Sequence, residues 1–212
     1  MTAAVTIVDY GVGNLLSVRA ALEYCGASIN FSADPDEIMT SDRLLLPGVG
    51  AFIESMDDMD NTALTEPVRE FARSGKPVLG ICLGSQMLFS SSIEYGYRDG
   101  LNLVAGEVIE IPKSGTNGIS HRIPHMGWNK LRECNNKWDG TILEDVEPGA
   151  SVYFAHSYMG QPENANLRIA DCDYTGIKIL AVIQNENIHG CQFHPEKSGT
   201  VGLRVIENYL KM

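Results

Sequence analysis

The chain has 212 residues, 44% of them hydrophobic and 20% charged, and a formal net charge of −11. That length buries one substantial core, and no low-complexity or Pro/Gly/Ser-rich stretch divides it, so residues 1–212 are expected to form a single domain. The acidic balance argues against nucleic acid or an anionic membrane surface as partner, and no apolar run approaches the roughly 20 residues of a membrane-spanning helix.

The N-terminal MTAAVTIVDYG carries no basic segment ahead of an apolar stretch. It reads as a first strand over Val5 to Val8, not as a signal peptide, which makes the cytoplasm the expected compartment. Gly-rich DYGVGN follows, then a helical face of Leu15, Val18, Leu22 and Cys25 closed by Gly26. A second strand is expected at Ser28 to Ser32 and a helix after it, with Asp34 at its N-cap and Pro35 in its first turn. Leu44 to Leu46 is the third strand, Asn61 to Arg73 a helix ending near Gly75, and PVLGI at 77–81 a wholly apolar strand. Continuous apolar runs separated by helices predict a parallel sheet covered on both faces. From Leu101 onward the β-like runs LVAGEVIEIP, RIPHMGWNKL, SVYFAHSY, LRIADCDY, KILAVIQN and NIHGCQFH predict an antiparallel extension of that sheet. A last helix, capped by Ser198, carries Val201, Val205, Ile206, Tyr209 and Leu210 as its apolar stripe.

Within that frame Gly80-Ile81-Cys82-Leu83-Gly84 has the strand, turn and helix order of a nucleophile elbow, with glycines permitting a tight corner. If SQMLF opens a helix, its free N–H groups and positive dipole end favour a thiolate at Cys82, and the Leu83 N–H can donate to an oxyanion. A buried, glycine-flanked cysteine is the structural alternative. Among five histidines, His194 alone has a carboxylate placed to orient it. In QFHPEKS, an extended backbone at Pro195 and period-two alternation send His194 and Glu196 to one side. Cys82, His194 and Glu196 then form a nucleophile, base and orienter for acyl transfer. LLLPGVG ends a strand in a turn whose N–H groups at Gly48, Val49 and Gly50 can line an anion-binding nest, or serve the turn alone.

Other chemistries find less support. The five cysteines (Cys25, Cys82, Cys134, Cys172, Cys191) are odd in number, scattered and without a C-x-x-C pair, which signals neither a disulfide framework nor zinc. His121 and His125 are four apart, but Pro124 prevents the helix that a two-histidine metal face would need. GVGNLLS has Leu16 where a dinucleotide fingerprint needs its third glycine. No metal or cofactor is therefore expected.

PGVG, GICLGSQ and QFHPEKS, in this order, resemble the class I glutamine amidotransferases. DYGVGN at 9–14, PHMGWN at 124–129 and YFAHSY at 153–158 are similar, more narrowly, to the glutaminase subunits of imidazole glycerol phosphate synthase. The resemblance runs from residue 9 to 198. It implies an α/β, three-layer class I glutamine amidotransferase fold, with a mostly parallel central sheet and an antiparallel extension. It implies that Cys82 attacks the side-chain amide of L-glutamine, that His194 shuttles the proton and that Glu196 orients it. Gly50, Gln86, Ser157 and Tyr158 match positions that hold glutamine. Val49 and Leu83, with Gly50 beside them, match the oxyanion hole. Asn14, Trp128 and Lys197 fall where the family meets its synthase partner, a (β/α)8 cyclase that would complete a heterodimer and receive the ammonia. Ser85 departs from the apolar residue more usual after CLG and is expected to cap the helix, and PKSGTNGISHR is longer than expected before PHMGWN.

A paralogous glutaminase supplying ammonia to a surface-sugar amidotransferase shares every one of these motifs. Peptide or γ-glutamyl hydrolysis on the same elbow, and a regulatory module that has lost catalysis, are the readings from other classes. The intact triad speaks against the last.

Overall fold

The computed structural model describes residues 3–11, 15–116, 118–134 and 138–212. The first half alternates strand and helix: β1 (Ala4–Val8), α1 (Leu16–Tyr24), β2 (Ser28–Ser32), α2 (Pro35–Thr40), β3 (Leu44–Leu46), α3 (Phe52–Asn61), α4 (Thr65–Arg73), β4 (Val78–Ile81) and the short α5 (Leu83–Met87). Strands then dominate: β5 (Phe89–Ser92), β6 (Arg98–Asp99), β7 (Val104–Glu110), β8 (His125–Glu133), β9 (Ser151–His156), β10 (Tyr158–Pro162), β11 (Arg168–Tyr174), β12 (Ile177–Asn185) and β13 (Ile188–Cys191), before α6 (Gly199–Tyr209) closes the chain.

Among the described residues the main sheet has nine strands in the order β2-β1-β3-β4-β13-β12-β11-β8-β9. Pairing is parallel from β2 across to β13 and antiparallel from β13 to β9. The apolar triplet of β3 and the whole of β4 are buried, as strands covered on both faces must be. One face packs under α1 and α6 through Val18, Leu22, Val205, Ile206 and Tyr209. The other packs under α2, α3 and α4 through Ile38, Phe52, Met56, Val68 and Phe71. These are the three layers.

Local signals account for several ends. Asp34 accepts a hydrogen bond from the Asp36 N–H at 2.9 Å, capping α2 with Pro35 in place. Gly26, at φ +87°, ends α1, where the Ala27 N–H returns to the Leu22 carbonyl.

The structure departs from the sequence reading at several places. The helix expected over Asn61–Arg73 starts later, at Thr65 as α4, because Ala63 at φ +56° turns the chain, and a helix not expected from the sequence, α3, precedes it and ends at Asn61. The run SVYFAHSY breaks at Ser157, sending β9 into the main sheet and β10 into a second sheet of order β10-β7-β5-β6, and LVAGEVIEIP joins that second sheet as β7 instead of extending the main one. Ser198 stands at the start of α6 without capping it. Its hydroxyl donates to the His194 carbonyl at 2.6 Å and accepts from the Tyr153 N–H at 3.0 Å. Ser85 lies inside α5, not at its cap. Cys82 holds the cap position, and a side chain on Gly190 would press on the Ser85 hydroxyl at 2.5 Å.

Candidate active site

The last residue of β4 delivers the chain into a corner at Cys82, whose φ of 54° and ψ of −111° are strained for any residue but glycine. The glycines around it are required by the close passage of main chains. A Cβ on Gly80 would stand 2.6 Å from the Gly84 carbonyl oxygen, and one on Gly84 would run into the Leu46 carbonyl. Gly48 is equally confined, since its Cβ would meet Leu83 at 2.7 Å and collide with the Gly84 N–H. The loop after β3 is thus clamped against the start of α5, and Gly50, at φ +101°, completes its turn. Leu83 is the first residue of α5, so its N–H has no acceptor inside the helix.

β13 lies parallel to β4 and carries the chain past the same corner, with the Cys82 N–H bonded to the Cys191 carbonyl at 2.8 Å. Three residues on, the His194 N–H bonds the Tyr153 carbonyl of β9 at 2.9 Å, which fixes the histidine's backbone. His194 Nδ1 lies 2.8 Å from Glu196 Oε1, and the two side chains are only 9% and 4% exposed. They meet by a route other than the one expected. Pro195–Lys197 is a 3₁₀ turn, in which the Lys197 N–H returns to the His194 carbonyl, not an extended segment with alternating sides.

The histidines are separated by their surroundings. Burial pushes His125 and His189 down to about 4 and His156 to about 3. His194 moves the other way: burial alone would lower it, but hydrogen bonds with Cys82 and Glu196 and their negative charges raise it to about 9. Cys134, on a separate cavity of about 550 Å³, has its thiol pushed up to about 12 by burial and by Asp171. Burial likewise raises the Cys25, Cys172 and Cys191 thiols.

A cavity of about 340 Å³ opens over Cys82. Of the residues expected from the sequence, Val49, Gly50, Cys82, Leu83, Gln86, Ser157, Tyr158, His194 and Lys197 all line it. Glu196 stands behind His194 instead of on the wall. Trp128 does not reach the cavity. It is 59% exposed on β8, edge-on to Tyr153 at 6.2 Å, two residues from Met126, which lines the rim. Asn14 lies outside the described residues. His121 and His125 share no helix; His125 opens β8 and bonds His156 at 3.0 Å.

Two buried side chains escaped the sequence reading. Glu94 lines the cavity from the loop after β5, with Oε2 accepting the Phe52 N–H of α3 at 2.7 Å. Burial pushes its carboxyl up, against the pull of that N–H. No local spacing announces it, because its partner is 42 residues away. Gln192 sits between Gln86 and Cys82, 3.0 Å from the one and 3.8 Å from the other. Its signal was available: it stands two residues before His194 near the end of a strand, where alternate residues share a side.

Residues 6–212 match the family described as Glutamine amidotransferase class-I. Over 211 residues the chain is 53% identical to the imidazole glycerol phosphate synthase subunit HisH 1 of Legionella pneumophila (strain Paris), covering 99% of each. It is 44% identical to the HisH subunit of Methanosarcina barkeri over 210 residues, 98% of each. Among solved structures, PurLQS from Thermotoga maritima aligns with a TM-score of 0.73 at 21% identity, over 100% of this chain and 99% of that one, a likeness of fold alone. With a family match across nearly its whole length and relatives this close, the chain belongs to the class I glutamine amidotransferases, among the HisH subunits of imidazole glycerol phosphate synthase.

Proposed function

We propose that the chain, acting as one domain, hydrolyses L-glutamine to glutamate and ammonia and passes the ammonia to a (β/α)8 cyclase subunit in histidine biosynthesis. The observation that carries this reading is that Cys82, at its strained corner, and His194, backed by the Glu196 carboxylate, line the same cavity. The Cys82 thiolate attacks the amide carbon, and the new C–S bond pushes the carbonyl electrons onto oxygen. That oxyanion would be met by the free N–H groups around Val49, Gly50 and Leu83. Collapse breaks the C–N bond as the His194 imidazolium gives its proton to the departing nitrogen, leaving ammonia and a thioester. His194, now neutral, takes a proton from water, whose oxygen adds to the thioester carbon. Breakage of the C–S bond releases glutamate and regenerates the thiolate.

Gln86, Ser157 and Tyr158 supply polar groups to hold the substrate from one side of the cavity, and the Glu94 carboxylate provides a counter-charge for its ammonium end. Ammonia released into water would be protonated and diluted, so a synthesis that uses it needs the acceptor site close by. Met126 at the cavity rim, Trp128 two residues along the same strand, 64% and 59% exposed, and Lys197 beside His194 offer the surface for that partner. Asn14 is assigned to the same surface from the family resemblance.

Glutamine hydrolysis measured with and without a candidate cyclase and its sugar-phosphate ligand tests chemistry and coupling together. Low turnover alone and strong stimulation by the liganded partner are expected. Cys82→Ala should abolish hydrolysis while leaving partner binding intact. Equal turnover with and without partner would defeat the coupling, and persisting activity in Cys82→Ala would defeat the nucleophile.

A further inference from the structure

We propose that Gln192 is a further catalytic residue: its side-chain amide donates a hydrogen bond to the Cys82 sulfur and raises the fraction of the thiol that is ionised. The inference rests on the reading of Cys82 as nucleophile and adds a group that the triad does not contain.

The oxygen and nitrogen of a glutamine amide have the same shape, so which one faces the sulfur must be decided by partners. A chain of donors decides it. The main-chain carbonyl of Tyr158 can only accept, and it lies 2.8 Å from the Gln86 amide, which must therefore present Nε2. The same nitrogen is 3.0 Å from Gln192, whose atom there must be Oε1. The Gln192 Nε2 is left facing Cys82 Sγ, at 3.8 Å. The carbonyl that starts the chain is itself pinned. His156 Nδ1 lies 2.8 Å from it and can meet a carbonyl only by donating, so His156 Nε2 accepts from His125 Nδ1–H at 3.0 Å. Burial keeps both of these rings neutral at ordinary pH, which holds their tautomers fixed.

Gln86 and Gln192 are 5% and 4% exposed, so water competes little for these groups. Turning the Gln192 amide over would set an oxygen lone pair against a negative sulfur and a second N–H against that of Gln86. The arrangement has one favourable sense, and in that sense the free donor points at the atom whose charge matters. The strand end that brings the base to the site brings this donor with it. A hydrogen bond to an ionised acceptor is worth more than one to a neutral thiol, and that difference favours the thiolate.

The test reads the sulfur without turnover. Iodoacetamide alkylation of the full-length chain, followed by mass from pH 6 to pH 10 with Cys82→Ala as the control for the other thiols, reports thiolate at Cys82. Gln192→Met removes the donor at similar volume and should slow alkylation at pH 7 about tenfold, or about 1.4 kcal/mol. The plateau rate at high pH should stay within about twofold. Gln192→Glu, which adds charge as well, should slow it further. Identical pH profiles for the unsubstituted chain and Gln192→Met would overturn the proposal. If either variant fails to fold, the unsubstituted chain still decides. The Gln192 side-chain amide resonances should shift when Cys82 is alkylated, and resonances that stay put would also overturn it. Failure here leaves glutamine hydrolysis by Cys82 untouched, whereas hydrolysis by Cys82→Ala would remove the nucleophile itself.

Discussion

Replacing Glu196 by Gln keeps the shape of the side chain and an acceptor for the His194 N–H but removes the negative charge 2.8 Å from the ring. His194 stands at about 9 against an ordinary 6.5, an elevation of about 2.5 pH units, or about 3.4 kcal/mol in favour of the imidazolium. Two partners, Cys82 and Glu196, produce that elevation against burial, which opposes it. If they share it evenly, Glu196 supplies at least half, about 1.7 kcal/mol, and its loss brings His194 to about 8 or below. The sign follows from linkage. A histidine whose folded value is raised contributes its stability in full below 6.5, and that contribution is lost as pH climbs through about 9. In Glu196→Gln the loss occurs at lower pH. The unsubstituted chain should therefore exceed the variant in urea-unfolding stability by about 1 to 2 kcal/mol more at pH 6 than at pH 10. The His194 ring resonance should titrate near 9 in the one and at about 8 or below in the other. Titration near 6.5 in the unsubstituted chain, or near 9 in both, would refute the reasoning.

Two further substitutions test the architecture. In Gly84→Ala the new methyl meets the Leu46 carbonyl, a main-chain atom that cannot swing aside. A loss of about 3 kcal/mol in urea unfolding is expected, together with loss of glutaminase activity as the elbow moves away from His194. Glu94→Gln leaves an acceptor for the Phe52 N–H but no charge for the substrate ammonium. The KM for glutamine should rise about tenfold with kcat within about threefold, and the melting temperature should hardly change.

Legibility followed distance along the chain. α2 was readable because its cap, Asp34, and its first-turn proline are contiguous with it, and β3 and β4 because a strand buried on both faces must be apolar throughout. α3 carried an equally good buried stripe in Phe52, Met56 and Met59, yet its first free N–H is received by Glu94, far along the chain, and Ala51 before it caps nothing. A rule that looks for a neighbouring cap finds none there. The pairing of His194 with Glu196 was predicted correctly on the wrong geometry, since two residues apart on a 3₁₀ turn can meet as well as two on a strand.

What the sequence determined by itself was therefore the kinds of groups and their local frames: a cysteine between glycines at a strand end, a histidine with a carboxylate two residues on, and the strand and helix order that makes a parallel sheet. Only the tertiary structure decided which of these share one space. Parallel pairing of β4 with β13 brings Cys82 and His194 together across more than a hundred residues, and the second sheet carries Tyr158 to the same cavity. Side-chain period and capping are properties of a few adjacent residues, whereas the proton affinity of His194 and the role of Gln192 depend on burial and on partners that only the folded chain assembles.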